Sequence, residues 1–368
     1  RQRQMCIRDR MCICLFAEDV EVASIGQGNF VTCGVLGDNK PYAIFFENTQ
    51  DGMRSYYVVY GNERLGPFSF AWNSKVSPNG KDFAFFASKD GQWYVFARNE
   101  LLGPYSEVAD LSFSPDGMHL TYNAKIDDKW YIFDEKEQMG PYDLIDSSMS
   151  SNNSKQLVCK VRLEDKWYML IGKELKGPFD EVSYHLISNN GEKVGYKVRI
   201  DGKWYVMDGT EQIAGPFDEV SSFVFSPANA MLIYAARIAD KWYVFLGKEG
   251  LDRFDEVDSN FKFSPDGSKL IYKGREGEKW CMVLGQERLE SFDEIDSCVF
   301  SQDGLHLAYG ARIGKNWYMV VDNEKKGPFE KVKDPVFSID GKSFLYEAKI
   351  KRKWYILEGK KKIGPYDE

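Results

Sequence analysis

An aromatic pair recurs along this chain at an almost constant spacing. It stands at Tyr56-Tyr57, Trp93-Tyr94, Trp130-Tyr131, Trp167-Tyr168, Trp204-Tyr205, Trp242-Tyr243, Trp317-Tyr318 and Trp354-Tyr355, with Trp280-Cys281 as the irregular member. The steps are 37 or 38 residues, nine copies in all. Around it a longer phrase repeats, best preserved from Lys203-Trp204-Tyr205-Val206 through Ala214-Gly215-Pro216-Phe217-Asp218-Glu219-Val220 to Phe225-Ser226-Pro227. A period of this size marks an array of supersecondary units, each too small to bury a core alone. It overrides the two or three domains that 368 residues would otherwise suggest.

Each unit reads as four short strands. In the copy running from Val220 to Val257, the first strand is Ser222-Phe223-Val224-Phe225, ending at Ser226-Pro227. In other copies this end is Ser-Pro-Asp-Gly, as at Ser114 to Gly117 and Ser264 to Gly267, a turn in which Pro presets φ and Gly takes the positive φ. The second strand is Met231 to Arg237, joined by a tight Ile-Ala-Asp-Lys connection to the third, Lys241 to Phe245. The fourth lies near Arg253-Phe254 and in most copies carries Gly-Pro, as at Gly177-Pro178. Proline lacks the N–H a ladder needs, so this strand is predicted at a sheet edge and outermost. No stretch has a competing helical period.

Four antiparallel strands per repeat with short turns specify a β-propeller blade. The expected fold is all-β: a single propeller of nine blades over residues 20–368, with eight blades as the alternative count. The Ser-Pro-Asp-Gly turn followed by an apolar-Ala-Tyr strand resembles the WD40-like repeats of TolB-type β-propellers, a repeat also used in the propeller domains of oligopeptidase-like hydrolases. That resemblance implies a periplasmic or extracellular setting and a role in holding a protein or peptide. The chain departs from its own pattern at Ser151-Asn152-Asn153-Ser154, Ser226-Pro227-Ala228-Asn229 and Ser301-Gln302-Asp303-Gly304. Gly-Pro is lost at Leu251-Asp252-Arg253, and the first copy is lengthened through Glu47 to Gly52.

Residues 1–19 stand outside the repeat. The first ten, RQRQMCIRDR, resemble translated sequencing-adapter read-through of the kind found at the ends of assembled metagenomic genes. Met11 to Ala17 read either as the tail of a signal peptide or as an outer strand of an upstream repeat. No run reaches the ~20 apolar residues that a membrane-spanning helix requires. The formal charge is −8; the first ten residues hold four Arg and one Asp, leaving 44 basic against 55 acidic side chains. An acidic balance without a basic block argues against nucleic acid and anionic membranes.

Chemistry-bearing residues are few outside the repeat. Seven Cys fall at 6, 12, 14, 33, 159, 281 and 298 in no common register; Cys281 and Cys298 read as small buried hydrophobes. Three His leave little for a metal or a general base. His119 and His306 read as solvated turn residues and His185 as a satisfied core residue that could face a channel. There is no nucleophile elbow, no Ser or Cys with a recognisable His partner and no phosphate-cradling loop. No catalytic residue, cofactor or metal is therefore expected, and the chain is expected not to be an enzyme.

Two repeated features remain. Trp93, Trp130, Trp167, Trp204, Trp242, Trp280, Trp317 and Trp354 read as packing aromatics between neighbouring blades rather than as a ligand platform. A ring of cations, Lys125, Arg162, Arg199, Arg237, Arg275, Arg312 and Lys349, ends the second strands, and acids (Asp143, Asp180, Asp218, Asp255, Asp293, Glu330) precede the first. These charges either pair and pin blade to blade, or form a cationic annulus for an anionic ligand or acidic loop. The alternation breaks at Ser88, in place of a cation, and at Lys331 and Lys333. Ring closure would bring the first and last copies together, so a partner is expected at that seam, on charge left unpaired. The leading function is a non-catalytic interaction scaffold, a monomer binding protein or peptide. The alternatives are a gating propeller cut from a larger hydrolase, and a channel-site enzyme such as a glycan lyase or hydrolase.

Overall fold

A computed structural model describes residues 29–150, 156–341, 343–359 and 361–366. It contains nine four-stranded antiparallel sheets, each in plain sequence order, the blade architecture of a β-propeller. Nine sheets agree with the leading count. Blades 1 to 9 span 29–68, 70–105, 107–142, 144–179, 181–217, 219–254, 256–292, 294–329 and 331–366. The N-terminal segment, Cys6, Cys12, Cys14 and the departure at Ser151 to Ser154 lie outside the described residues. Among those described, no helix is long and apolar enough to cross a membrane.

The chain forms two compact units, one ending at Pro178 and the other starting at Phe179. In the first, apolar clusters join consecutive blades. Leu36, Ile44 and Val58 pack with Phe83 and Phe85, Val95 with Leu111 and Leu120, and Ile132 and Tyr142 with Leu157, Cys159 and Val161. The second repeats the arrangement. Val206 and Phe217 meet Val220 and Leu232, Ile233 and Val244 meet Phe261 and Leu270, Ile271 and Met282 meet Ile295 and Leu307, and Trp317 and Met319 meet Val332 and Tyr346. Second and third strands are buried on both faces, so they read as near-continuous apolar runs; burying each such side chain stabilises by roughly 1.5–3 kcal/mol.

The Ser-Pro-Asp-Gly turn is held by its serine. Ser114 Oγ donates to Asp116 Oδ1 at 2.6 Å and accepts the His119 N–H at 2.9 Å, while the Gly117 N–H reaches the Ser114 carbonyl at 2.8 Å. Ser188 and Ser77 do the same with Asn190 and Asn79, which is why Asn can replace Asp. After blade 1, whose connection is longer, the second-to-third connections are two-residue hairpins; that of blade 3 holds Asp127 (φ 48°) and Asp128 (65°). Both positions are left-handed, the geometry of a type I′ turn and the reason for Asp and Gly there.

Gly-Pro lies on the fourth strand, at a sheet edge as expected, and its peptide bond is cis at Gly66, Gly103, Gly140, Gly177, Gly215, Gly327 and Gly364. Here the ladder shifts register opposite the aromatic pair, as between Trp130 and Ile132. Glycine is obligatory: at Gly140 (φ 132°) a Cβ would sit 2.9 Å from both the Trp130 carbonyl oxygen and Tyr131 Cδ1.

Candidate functional site

The strand register brings the end of each second strand opposite the start of its own first strand. Glu107 thus faces Lys125, Glu181 faces Arg199, Glu219 faces Arg237, Glu256 faces Arg275 and Glu294 faces Arg312. Ion pairs follow at 2.7 Å for Lys125–Glu107, 3.6 Å for Arg199–Glu181 and 3.0 Å for both Arg237–Glu219 and Arg312–Glu294. Arg275 Nε lies 2.9 Å from Glu256 Oε2. These five cations therefore pair inside their own blade, with the Glu that follows the repeated Asp in blades 5 to 8 and follows Ser106 in blade 3. Arg162 departs from this: Leu144 stands opposite it, and its guanidinium lies 5.8 Å from the Trp167 ring centre.

The Asp of the phrase does different work. Asp218 accepts the Ala239 N–H of the blade 6 hairpin at 2.7 Å and pairs with Lys203 of blade 5. Asp143 does so with Glu164 N–H and Lys129, Asp255 with Gly277 N–H and Lys241, and Asp293 with Gly314 N–H and Lys279. Each carboxylate ties one blade to the hairpin of the next. The lysine in front of each Trp supplies the charge, and sequence reading passed over it. Hydrogen bonds from these lysines, chiefly, hold the four carboxyls below the usual Asp range. In blade 8 this position is Asn316, and in blade 9 the acid is Glu330, which receives the Arg352 N–H at 3.0 Å.

The eight repeat Trp side chains are half-buried except Trp317, which is 8% exposed. Trp93, Trp130, Trp204, Trp242 and Trp280 each pack against a cluster that includes the following blade. Several carry a cation on the indole: Lys160 stands 4.0 Å from the Trp167 ring centre and Lys197 4.9 Å from that of Trp204. Lys197 is half-buried, donates to the Val220 carbonyl and is lowered in pKa by desolvation.

Some expected vacancies are filled. Ser88 leaves no acid uncovered, because Phe70 stands opposite it and both members of the pair are lost together. Lys333 is not unpaired: its Nζ lies 3.1 Å from Glu347 Oε2 and 4.6 Å from the Trp354 ring centre. Lys331 faces Lys349 across the strands and lies 5.9 Å from the Trp317 ring centre.

The histidines also differ from expectation. His306 Nδ1 is 2.6 Å from Asp322 Oδ2, and His119 Nδ1 is 3.6 Å from Asp134 Oδ1, so neither is merely solvated. Ser301 Oγ accepts the main-chain N–H of His306 and donates to the Asp303 carboxylate, so these three side chains do not form a nucleophilic relay. His185 is buried at 6% exposure, but neither ring nitrogen has a hydrogen-bond partner. Burial lowers its pKa. Cys159 and Cys281 are buried and Cys298 half-buried, and burial raises all three thiols. Among the described residues, no group of three His, Cys, Asp or Glu could hold a metal ion.

Where Gly-Pro is lost, an arginine takes over the outer edge. Arg288 of blade 7 grips Asp252 of blade 6 through Nε at 2.7 Å and Nη2 at 2.6 Å, and reaches Glu276 at 2.8 Å. In blade 7 the Tyr of the pair is Cys281 and the Gly-Pro position is Glu290-Ser291, so motif and partner disappear together there, whereas blade 6 has Asp252-Arg253 and keeps Tyr243, opposite Arg253.

No protein-family model and no curated protein matches this chain. Among solved structures it is similar to a eukaryotic initiation factor at 14% identity, over 87% of this chain and 92% of that one, with a TM-score of 0.38. The Dos1 propeller matches at 11% identity over 79% and 92%, TM-score 0.32. The dihydro-heme d1 dehydrogenase NirN matches at 12% over 83% and 76%, TM-score 0.31.

Proposed function

We propose that the chain is a non-catalytic interaction scaffold of the TolB-like, WD40-like propeller type, which presents its blade ends to a protein or peptide. One observation carries this reading. The exposed Glu–cation pairs and two-residue hairpins recur at one end of successive blades, and those hairpins carry no insertion after blade 1. Such an end offers a repeated, rigid, charged relief, the kind of surface that fixes register and orientation in recognition. Reacting groups, in contrast, would break the repeat, and the histidines that do so are engaged by carboxylates or buried.

The experiment is to pan a displayed random-peptide library against the immobilised chain and to map enriched peptides with charge-reversal variants at blade ends. Enrichment that depends on those residues supports the scaffold. A purified chain that turns over a peptide, ester or glycoside, and loses that turnover on one substitution, overturns it.

A further inference from the structure

Blade 9 breaks the charge rule that governs its neighbours. Opposite the second-strand cation, blades 5 to 8 place Glu181, Glu219, Glu256 and Glu294; blade 9 places Lys331 opposite Lys349. Like charges directly across an antiparallel pair destabilise it. One step further along, the polarity is inverted as well: blade 7 pairs Asp258 on its first strand with Lys273 on its second, whereas blade 9 pairs Lys333 with Glu347.

The hairpins show the same reversal. In blades 5 to 7 the exposed turn residues include Asp201, Asp240 and Glu278; in blade 8 the turn is Gly314-Lys315, and in blade 9 it is Lys351-Arg352. Lys351 and Arg352 hold φ of 51° and 65°, a pair of left-handed positions that favours Asn, Asp or Gly. Two long cations there cost conformational energy and yield an exposed double charge. Two independent departures, one in a ladder and one in a turn, thus raise positive charge at the same end of one blade, at some expense in stability.

We infer that this end of blade 9, with Lys315 in the corresponding hairpin of blade 8, is the docking surface for an acidic polypeptide segment; the inference rests on the scaffold reading above. Lys331, Lys351 and Arg352 are exposed and can meet carboxylates in water, while the indole of Trp354 lies beneath Lys333 and Lys349 at 4.6 and 5.6 Å. The acidic turns of blades 5 to 7 limit the footprint to a short segment. A polyanion such as DNA, or an anionic membrane, would extend onto them and be repelled, all the more by a chain of net charge −8.

The test measures binding of a fluorescent oligo-glutamate peptide to the full chain by anisotropy at several salt concentrations, beside thermal melts. Two variants separate binding from folding. Lys331→Glu restores the Glu–cation ladder pair, and Lys351→Asn with Arg352→Gly restores a favoured hairpin. Each is expected to melt at or above wild type, yet to weaken the peptide about tenfold and flatten its salt dependence. Arg288→Glu, which breaks the outer-edge grip on Asp252, is expected to lower the melt and leave peptide affinity unchanged. Unchanged affinity in the blade 9 variants, or tighter binding to phosphatidylserine vesicles or single-stranded DNA than to oligo-glutamate, overturns the inference. If oligo-glutamate fails to bind while library peptides bind elsewhere, the blade 9 surface falls and the scaffold stands. If no peptide binds at all, both fall.

Discussion

The ring of Tyr205 occupies the space that a side chain on Gly215 would need: a Cβ there would meet Tyr205 Cδ1 at 2.6 Å and the Trp204 carbonyl oxygen at 2.9 Å. The two phrases that dominate the repeat, aromatic pair and Gly-Pro, are therefore halves of one contact. Gly215→Ala is expected to destabilise by about 1–3 kcal/mol, from a φ of 124° and from the clash together. Gly202→Ala shares a positive φ (78°) but meets nothing within 4 Å, and should cost less. Denaturant midpoints for the two variants separate collision from backbone strain.

The tryptophans are expected to differ in cost. Trp317→Ala removes the one that is 8% exposed and should destabilise by about 3–5 kcal/mol. Trp130→Ala and Trp204→Ala, half-buried, should destabilise clearly less. Equal midpoint shifts for all three would contradict this ordering.

Stability should fall in acid through the interblade carboxylates. Asp143, Asp218, Asp255 and Asp293 have folded pKa values lowered chiefly by lysine hydrogen bonds. Their contribution is present above the ordinary carboxylate value near 4 and is lost as pH falls through the lowered folded value. Asp218→Asn removes the pairing with Lys203 and should shrink the difference between melting temperatures at neutral and acid pH.

His185 adds a second acid-sensitive element at higher pH. Its folded pKa lies below the ordinary value near 6.5, so stability is full above that value and declines as pH falls through the folded one. Phe223 stands at the equivalent place in blade 6 and is buried in an apolar cluster. His185→Phe should raise the melting temperature and remove this part of the pH dependence. A lower melting temperature at every pH would show that the imidazole is needed where it lies.

The repeat period made the strands, their order and the edge position of Gly-Pro legible, because each is written into local turn chemistry and alternation. Charge partners were less legible. Arg237 could be seen to recur, but whether it meets Asp218 or Glu219 depends on a one-residue register that sequence spacing does not decide. Lys203 and Lys241 escaped notice because a lysine before a tryptophan looks like an ordinary solvated strand start. Ser88 and Lys333 were misjudged for one reason: a missing charge was noted on one strand before its cross-strand neighbour was known. Those neighbours are Phe70 and Glu347.

The plain sequence order of strands within every sheet bears on how the chain acquires its structure. Each ladder joins strands consecutive in the chain, so no strand has to wait for a distant partner and loop-closure entropy is small at every pairing step. A blade can be completed once its own 36 to 40 residues are available. Synthesis runs from the N-terminus, and domains commonly fold in that order. Emerging from the ribosome, such a chain can assemble one meander at a time, with each finished sheet presenting its apolar face to the next.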